Sequence, residues 1–388
     1  MPTIVLPRSD RSLEHFTTGG PKSFPEKPER PFNRIAFAAA HVVPDPMADA
    51  NPLVNVQIDW DQTIAFRKHL WKLGLGVAEA MDTAQRGMGL DWPTSMELIK
   101  RSVEASKDIP DALIASGAGT DHLDLSKPYT PALVTEAYEK QCEAVESAGG
   151  RIILMASRAL AACAESPDDF LMVYNNILRQ VKEPVIIHWL GEMFDPALAG
   201  YWGHSDHWEA MNVCLEVLES NSNKVDGIKV SLLDKDKECK LRSKLPKAVR
   251  MYTGDDFNYP ELIGGDKNGH SDALLGIFDA IAPAASAALT ALSSNNLDEF
   301  YNILEPTVSL SRHIFKAPTQ YYKTGIVFMA YLNGHQEHFI MVGGQQSARS
   351  ALHLSEIFRL ADKAGLLKNP DLAATRMRQV MALHGIGT

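Results

Sequence analysis

Short apolar runs alternate with helix-length amphipathic segments along most of this chain. The runs are Arg34–Val43, Leu75–Met81, Ala112–Ser116, Arg151–Ala156, Pro184–Leu190, Val225–Val230, Ala248–Thr253 and Asp272–Asp279. Short, largely apolar stretches of this kind read as strands buried on both faces. The segments between them predict helices over Asp61–Leu73, Thr94–Lys107, Pro131–Ala148, Asp168–Val181 and His204–Ser220. Start signals support them: Asp59 and Asp61 at the first, Pro93 before the second, Thr130-Pro131 at the third and Ser166-Pro167 at the fourth.

Strands alternating with helices predict an α/β fold with a parallel sheet, and eight is the strand count that closes a (β/α)8 TIM barrel. An open doubly wound sheet is the alternative. Against it, no GxGxxG follows the first run, where Ala38-Ala39-Ala40-His41 stands instead. Residues 1–33, rich in Pro, Ser and charge, predict an extended arm on the surface. The barrel takes residues 34–288, and residues 289–388 predict a C-terminal helical region with helices over Leu297–Leu304, Ser309–Phe315, Tyr321–Leu332, Ser347–Ala364 and Pro370–Leu383.

Composition narrows the partners. The 388 residues are 45% hydrophobic and 22% charged, enough for a sizeable core. A net charge of −10 argues against nucleic acid or an anionic membrane as partner, since both attract basic surfaces. The cysteines Cys142, Cys163, Cys214 and Cys239 are scattered without a CxxC spacing, which suits reduced thiols in a cytoplasmic protein. No stretch has the roughly 18 consecutive apolar residues of a membrane span, and the N-terminus lacks a secretory h-region.

The chemistry is concentrated where a barrel keeps it, at the C-terminal ends of the strands. The sharpest signal is Lys229 inside Val225-Asp226-Gly227-Ile228-Lys229-Val230, on the strand face shared with Val225 and Gly227. A buried, unpaired ammonium is costly, so such a lysine tends to give up its proton and become a nucleophile for carbonyl carbon. A lysine at a strand end that snorkels to water is the plain alternative. His188 lies near the end of the fifth run and has the titration range of a proton relay, or is a satisfied core histidine. Asp255 and Asp256 either line the site or cap the next helix. Glu79, flanked by alanines, needs a cation, a metal or a donor network. His204-Ser205-Asp206-His207 lacks the spacing of a metal motif and reads as a loop-to-helix cap. His335 and His338, three apart in the helical region, read as surface residues.

The order Gly227-Ile228-Lys229, Gly254-Asp255-Asp256, Gly264-Gly265, then a last strand into Ala282-Pro283 resembles the dihydrodipicolinate synthase/N-acetylneuraminate lyase family. The stretch Ala317-Pro318-Thr319-Gln320-Tyr321-Tyr322-Lys323-Thr324-Gly325 is similar to that family's C-terminal helices. Within it, Ala78-Glu79-Ala80-Met81-Asp82-Thr83-Ala84-Gln85-Arg86-Gly87 resembles the DUF993 branch. The resemblance implies a class I aldolase or lyase on a TIM barrel with a C-terminal helical extension, without a cofactor, assembled as a homodimer or homotetramer. It implies that Lys229 is the Schiff-base lysine and that Gly254 lines the substrate pocket. The chain departs from the family after the second strand, where Gly-Thr-Thr-Gly-Glu is replaced by Asp82-Thr83-Ala84-Gln85-Arg86, and at the fifth strand, where His188 stands for a tyrosine. An insertion carrying Phe194, Tyr201, Trp202 and Trp208 follows, with rings that would stack on a sugar face.

The leading expectation is therefore a Schiff-base lyase or aldolase on a keto acid or sugar-derived carbonyl compound. Lys229 and His188 are its catalytic residues, and Thr83, Gln85, Arg86, Gly254, Asp255 and Asp256 its substrate-binding ones. A metal-dependent lyase or isomerase is the second reading, with Glu79, His188, His41 and Asp256 as ligands of a divalent ion. A non-catalytic metabolite-binding barrel is the third.

Overall fold

Each of the eight apolar runs contains or overlaps a strand. The computed structural model describes residues 1–387. An N-terminal hairpin pairs β1 (Thr3–Pro7) antiparallel with β2 (Leu13–Thr17). Then come β3 (Ala36–Ala39), β4 (Gly76–Glu79), β5 (Ile114–Ala118), β6 (Arg151–Leu154), β7 (Val185–Leu190), β8 (Val225–Ser231), β9 (Arg250–Thr253) and β10 (Asp272–Leu275). These form a closed parallel barrel in which β10 pairs with both β9 and β3. The protein is a TIM barrel with C-terminal helices.

The barrel interior is filled by Phe37, Ala39, Ala78, Ile153, Ile186, Tyr252 and Leu274, drawn from successive strands. The opposite strand faces join the outer core against the helices, which is why the strands read as continuous apolar runs rather than alternating ones. The expected caps form: Asp59 accepts from Gln62 N at 3.0 Å, Thr130 caps the helix opened by Pro131, and Ser166 makes a capping box with Asp169. Asp206 caps the helix His207–Ser220.

The termini differ from expectation. Residues 3–17 are a hairpin, not an extended arm; Ile4 and Leu6 are buried, and the hairpin packs on the helices Ala351–Lys363 and Pro370–Leu383. The two helices expected over Leu297–Leu304 and Ser309–Phe315 are one, Leu297–Ile314, with Pro306 inside it. Phe300, Leu304, Leu310 and Ile314 bury one continuous face there, and that packing outweighs the backbone hydrogen bond Pro306 cannot donate. The final barrel run ends as a strand at Leu275, and Ile277–Ala280 is a short helix.

Among the described residues no helix is long and apolar enough to cross a membrane. For the site, the most consequential element is the turn at Thr319–Tyr322, from which the helix Lys323–Leu332 starts. It carries Tyr322 and Lys323 to the C-terminal ends of the first barrel strands.

Candidate active site

Lys229 stands near the end of β8, in register with His188 on β7 and Tyr252 on β9. Two glycines give it room. A Cβ on Gly227 would lie 2.5 Å from the Tyr252 ring, so this glycine admits the ring that fills the barrel beneath the lysine. A Cβ on Gly254 would lie 2.8 Å from Lys229 Cε, 2.7 Å from Val230 O and 2.2 Å from Ser231 Oγ. Lys229 is buried, 6% exposed, and takes part in none of the ion pairs among the described residues. Burial pulls its amine down from 10.5 to about 8; Asp256 and Asp82 pull it upward, and Lys323 pushes it down further.

The groups around it are matched to that amine. Asp256 is fully buried and its carboxyl is raised to about 7 by desolvation, against the Ile277 N–H at 2.8 Å and the positive charge of Lys229. His188 shares a 3.1 Å hydrogen bond with Ser231 Oγ, and its Nδ1 is buried without a partner. Burial, then the Lys229 charge, holds His188 well below its ordinary range, so it is neutral near pH 7. On the opposite side Lys323 donates to Ala39 O at 2.7 Å and pairs with Asp82 at 2.8 Å, while the Tyr322 hydroxyl donates to the same Asp82 carboxylate. Phe194 meets the Tyr322 ring edge-on at 5.9 Å. The mouth thus holds two buried lysines, one paired and one free.

Other residues singled out from the sequence lie elsewhere or are already engaged. Glu79 takes two 2.8 Å bonds from Arg67, one of 2.6 Å from Ser102 and one from Ala80 N, all buried among the helices outside β4. His41 binds Asp279 through Nδ1 at 2.9 Å and through its backbone N–H at 2.7 Å. Glu79, His41, His188 and Asp256 therefore do not converge, and no group of three or more metal-ligating side chains suited to an ion occurs among the described residues. Gln85 bonds the backbone of Val42 and Ala40. Arg86 is held by Asp121, Gln141 and the carbonyls of Ala80 and Gly117. Asp255 accepts from Phe257 N, Asn258 N and Asn258 Nδ2, a turn-closing role. Thr83 is partly exposed and lines a cavity of about 50 Å³ with Thr120, Arg158 and Asp195.

The aromatic insertion is packing rather than a sugar platform. Tyr201 and Trp202 are buried against Phe170 and Tyr174, whereas Trp208 is exposed outside that cluster. His335 is not a free surface histidine: its ring packs on His69 with centroids 4.6 Å apart and on Phe66 at 5.1 Å.

Sequence reasoning missed Lys323 and Tyr322 as parts of the site. The signal was the one that exposed Lys229, a lysine opening the apolar run Ile326–Leu332. It read as a helix start because the strand rhythm had already ended.

Comparison with solved structures agrees with this architecture. A structure described as a putative dihydrodipicolinate synthetase from Pseudomonas aeruginosa superposes with a TM-score of 0.64 at 14% identity, covering 85% of this chain and 98% of that one. Dihydrodipicolinate synthase from Thermotoga maritima gives 0.62 at 15%, covering 86% and 99%. The Aquifex aeolicus enzyme gives 0.61 at 9%, covering 91% and 99%. Identity this low establishes a shared fold and no more. No curated protein matches the chain. The family model described as "protein of unknown function (DUF993)" matches residues 4–386, so this chain, with its free buried lysine in a dihydrodipicolinate synthase-like barrel, belongs to the DUF993 family.

Proposed function

We propose that this protein is a Schiff-base lyase or aldolase acting on a keto acid or a sugar-derived carbonyl compound, with Lys229 as the nucleophile. One observation carries the reading: of the two buried lysines in the barrel mouth, Lys323 has a carboxylate partner and Lys229 has none, with its amine lowered to about 8. An amine brought down to about 8 keeps roughly a tenth of its population neutral at pH 7, far more than an ordinary lysine, and that neutral form is what carbonyl addition needs.

In the reaction, the lone pair of Lys229 Nζ adds to the carbonyl carbon and the carbonyl oxygen takes up a proton, giving a carbinolamine. Loss of that oxygen as water leaves a protonated imine. The imine then accepts the electron pair of the Cα–Cβ bond broken beside it, forming an enamine, while the β-hydroxyl gives up its proton and that fragment departs as an aldehyde. Protonation of the enamine carbon and hydrolysis return the free amine and the second carbonyl product. Asp256, raised to about 7, and neutral His188, with Nδ1 bare, are suited to accept and return protons beside Lys229. The Tyr322 hydroxyl, whose proton goes to Asp82, offers a lone pair at the same mouth.

The test is reductive trapping. The protein is incubated with a panel of keto acids and keto sugars, reduced with borohydride, and analysed by intact mass and peptide mapping. A reduced adduct on Lys229, absent from Lys229→Met and retained in Lys323→Met, supports the assignment. An adduct mapped only to Lys323, or none across the panel, overturns it.

A further inference from the structure

The cavity of about 50 Å³ beside Thr83 lies on the barrel rim, lined by the segments that follow β4, β5, β6 and β7. Lys229 comes from β8, and in the closed strand order β5 and β6 stand three and two places from it. Neighbouring strands are about 4.8 Å apart, so roughly 10–14 Å of rim separates the cavity from the lysine's strand. The two still share one mouth. Asp82, next to Thr83, is near enough to Lys229 to act on its amine, and Phe194, next to Asp195, sets its ring on Tyr322.

One side chain in this cavity has donors left over. Arg158 gives its Nε–H to Asp195 at 2.6 Å, and its side chain is 25% exposed. Its two Nη groups donate to nothing among the described residues, and neither is sealed from solvent. The guanidinium reaches across the rim: a Cβ on Gly87, in the loop after β4, would lie 2.6 Å from Arg158 Nη1.

The other charges there are spent. Asp121 accepts from Arg86 and Gln141, and Asp195 accepts from Arg158 and from Ala197 N at 3.2 Å. What remains is the outer edge of one guanidinium, oriented by Asp195, and that edge takes an oxyanion through two parallel hydrogen bonds. A cavity of about 50 Å³ holds roughly four waters at about 10–15 Å³ each, which is room for a carboxylate or phosphate group and not for a whole substrate.

We infer that Arg158 binds a carboxylate or phosphate at the end of the substrate remote from its carbonyl, and that this pairing sets substrate choice. The inference rests on the assignment of Lys229 as the nucleophile. The separation along the rim favours a substrate whose oxyanion stands several bonds from its carbonyl over one with the two groups on adjacent carbons.

Two ligand pairs that differ by the oxyanion test it: fructose 6-phosphate against fructose, and 5-oxohexanoate against 2-hexanone. Lys229→Met forms no imine, so calorimetric titration of that variant reads the oxyanion site alone. The charged member of at least one pair is expected to bind about tenfold or more tighter than its neutral partner. The preference should vanish when Arg158→Met and Asp195→Asn are added together, which leaves neither charge of the pair buried alone. Arg158→Lys, which keeps the charge and loses the fork, should retain part of it. With Lys229 intact, borohydride trapping at low ligand concentration should show the same preference and the same losses. A gain confined to one pair identifies that oxyanion as the substrate's. No preference for either charged member, or a preference that survives the loss of Arg158, overturns the proposal. A preference in calorimetry with no trapped adduct would instead sink the imine chemistry and leave the oxyanion site standing.

Discussion

Gly254 presses against Lys229 so closely that a single methyl group at residue 254 would lie 2.8 Å from the lysine's Cε. The same methyl would meet Val230 O at 2.7 Å, and a backbone oxygen in a barrel strand has little freedom to give way. Gly254→Ala is therefore expected to fold, at an overpacking cost of about 1–3 kcal/mol, with the amine displaced. Displacement of a reacting atom by about 1 Å costs up to about a hundredfold in rate. The rate of borohydride-trapped adduct formation on Lys229 should fall at least about tenfold, with the circular dichroism spectrum unchanged. An unaltered trapping rate would show that the close approach has no bearing on the amine.

After burial and Asp256, the Lys323–Asp82 pair also acts on Lys229, and its two charges work in opposite senses. Lys323 lowers the Lys229 amine and Asp82 raises it. Asp82→Asn should accordingly shift the pH at which trapping is half-maximal downward, and Lys323→Met should shift it upward, each by about one unit. Removing one partner of a buried pair is also destabilising, so the double variant Asp82→Asn, Lys323→Met is the decisive control. It should restore both stability and a midpoint close to that of the unaltered protein, near pH 8. Shifts of the same sign in both single variants would refute this account.

Much of this architecture is legible in the sequence. Lys229 was found because a charged residue breaks an apolar run, and the barrel because the runs number eight. The strand face of Lys229 is less regular than its alternation implies. Val225, expected on its face, joins the outer core, because the register with β7 slips between Val185 and Ile186 and leaves Asp226 as an extra residue. Such a bulge leaves no mark on hydrophobic periodicity. Nor do partners distant in sequence: Arg67 stands 12 residues from Glu79 on a separate helix, and Lys323 reaches Ala39 across 284 residues. Arg86 looked like a substrate ligand because sequence reports a residue's type and not which carbonyls will already hold it.

The Glu79–Arg67 pair is structural, and its loss should be felt in stability rather than metal content. Both side chains are fully buried and joined by two 2.8 Å hydrogen bonds. Glu79→Ala leaves the guanidinium without its partner and should cost about 3–5 kcal/mol, read as a lower urea midpoint. Addition of zinc, manganese or magnesium should leave that midpoint unmoved in the variant and the parent alike. A metal-dependent rise of the midpoint in the parent that Glu79→Ala lacks would return Glu79 to the candidate ligands.

Glu238 adds a pH dependence that is independent of the site. It is buried behind β9, where Thr253 Oγ1 donates at 2.9 Å and Ser271 Oγ at 2.7 Å. Burial, with Asp255 adding in the same direction, raises its carboxyl to about 8 despite those donors. The folded protein therefore holds a proton on Glu238 at neutral pH that the unfolded chain, with an ordinary value of 4.5, has released. Below about pH 4.5 both states carry the proton and the stabilisation is fully present; from there to about pH 8 unfolding releases a proton, so rising pH favours the unfolded state; above about 8 the dependence levels off. Glu238→Gln keeps the shape and removes the titration. Its melting temperature relative to the parent should therefore rise steadily between pH 5 and pH 8, as differential scanning calorimetry at matched ionic strength would record. A constant difference across that window would mean that Glu238 is ionised in the fold, and that the donors of Thr253 and Ser271 outweigh its burial.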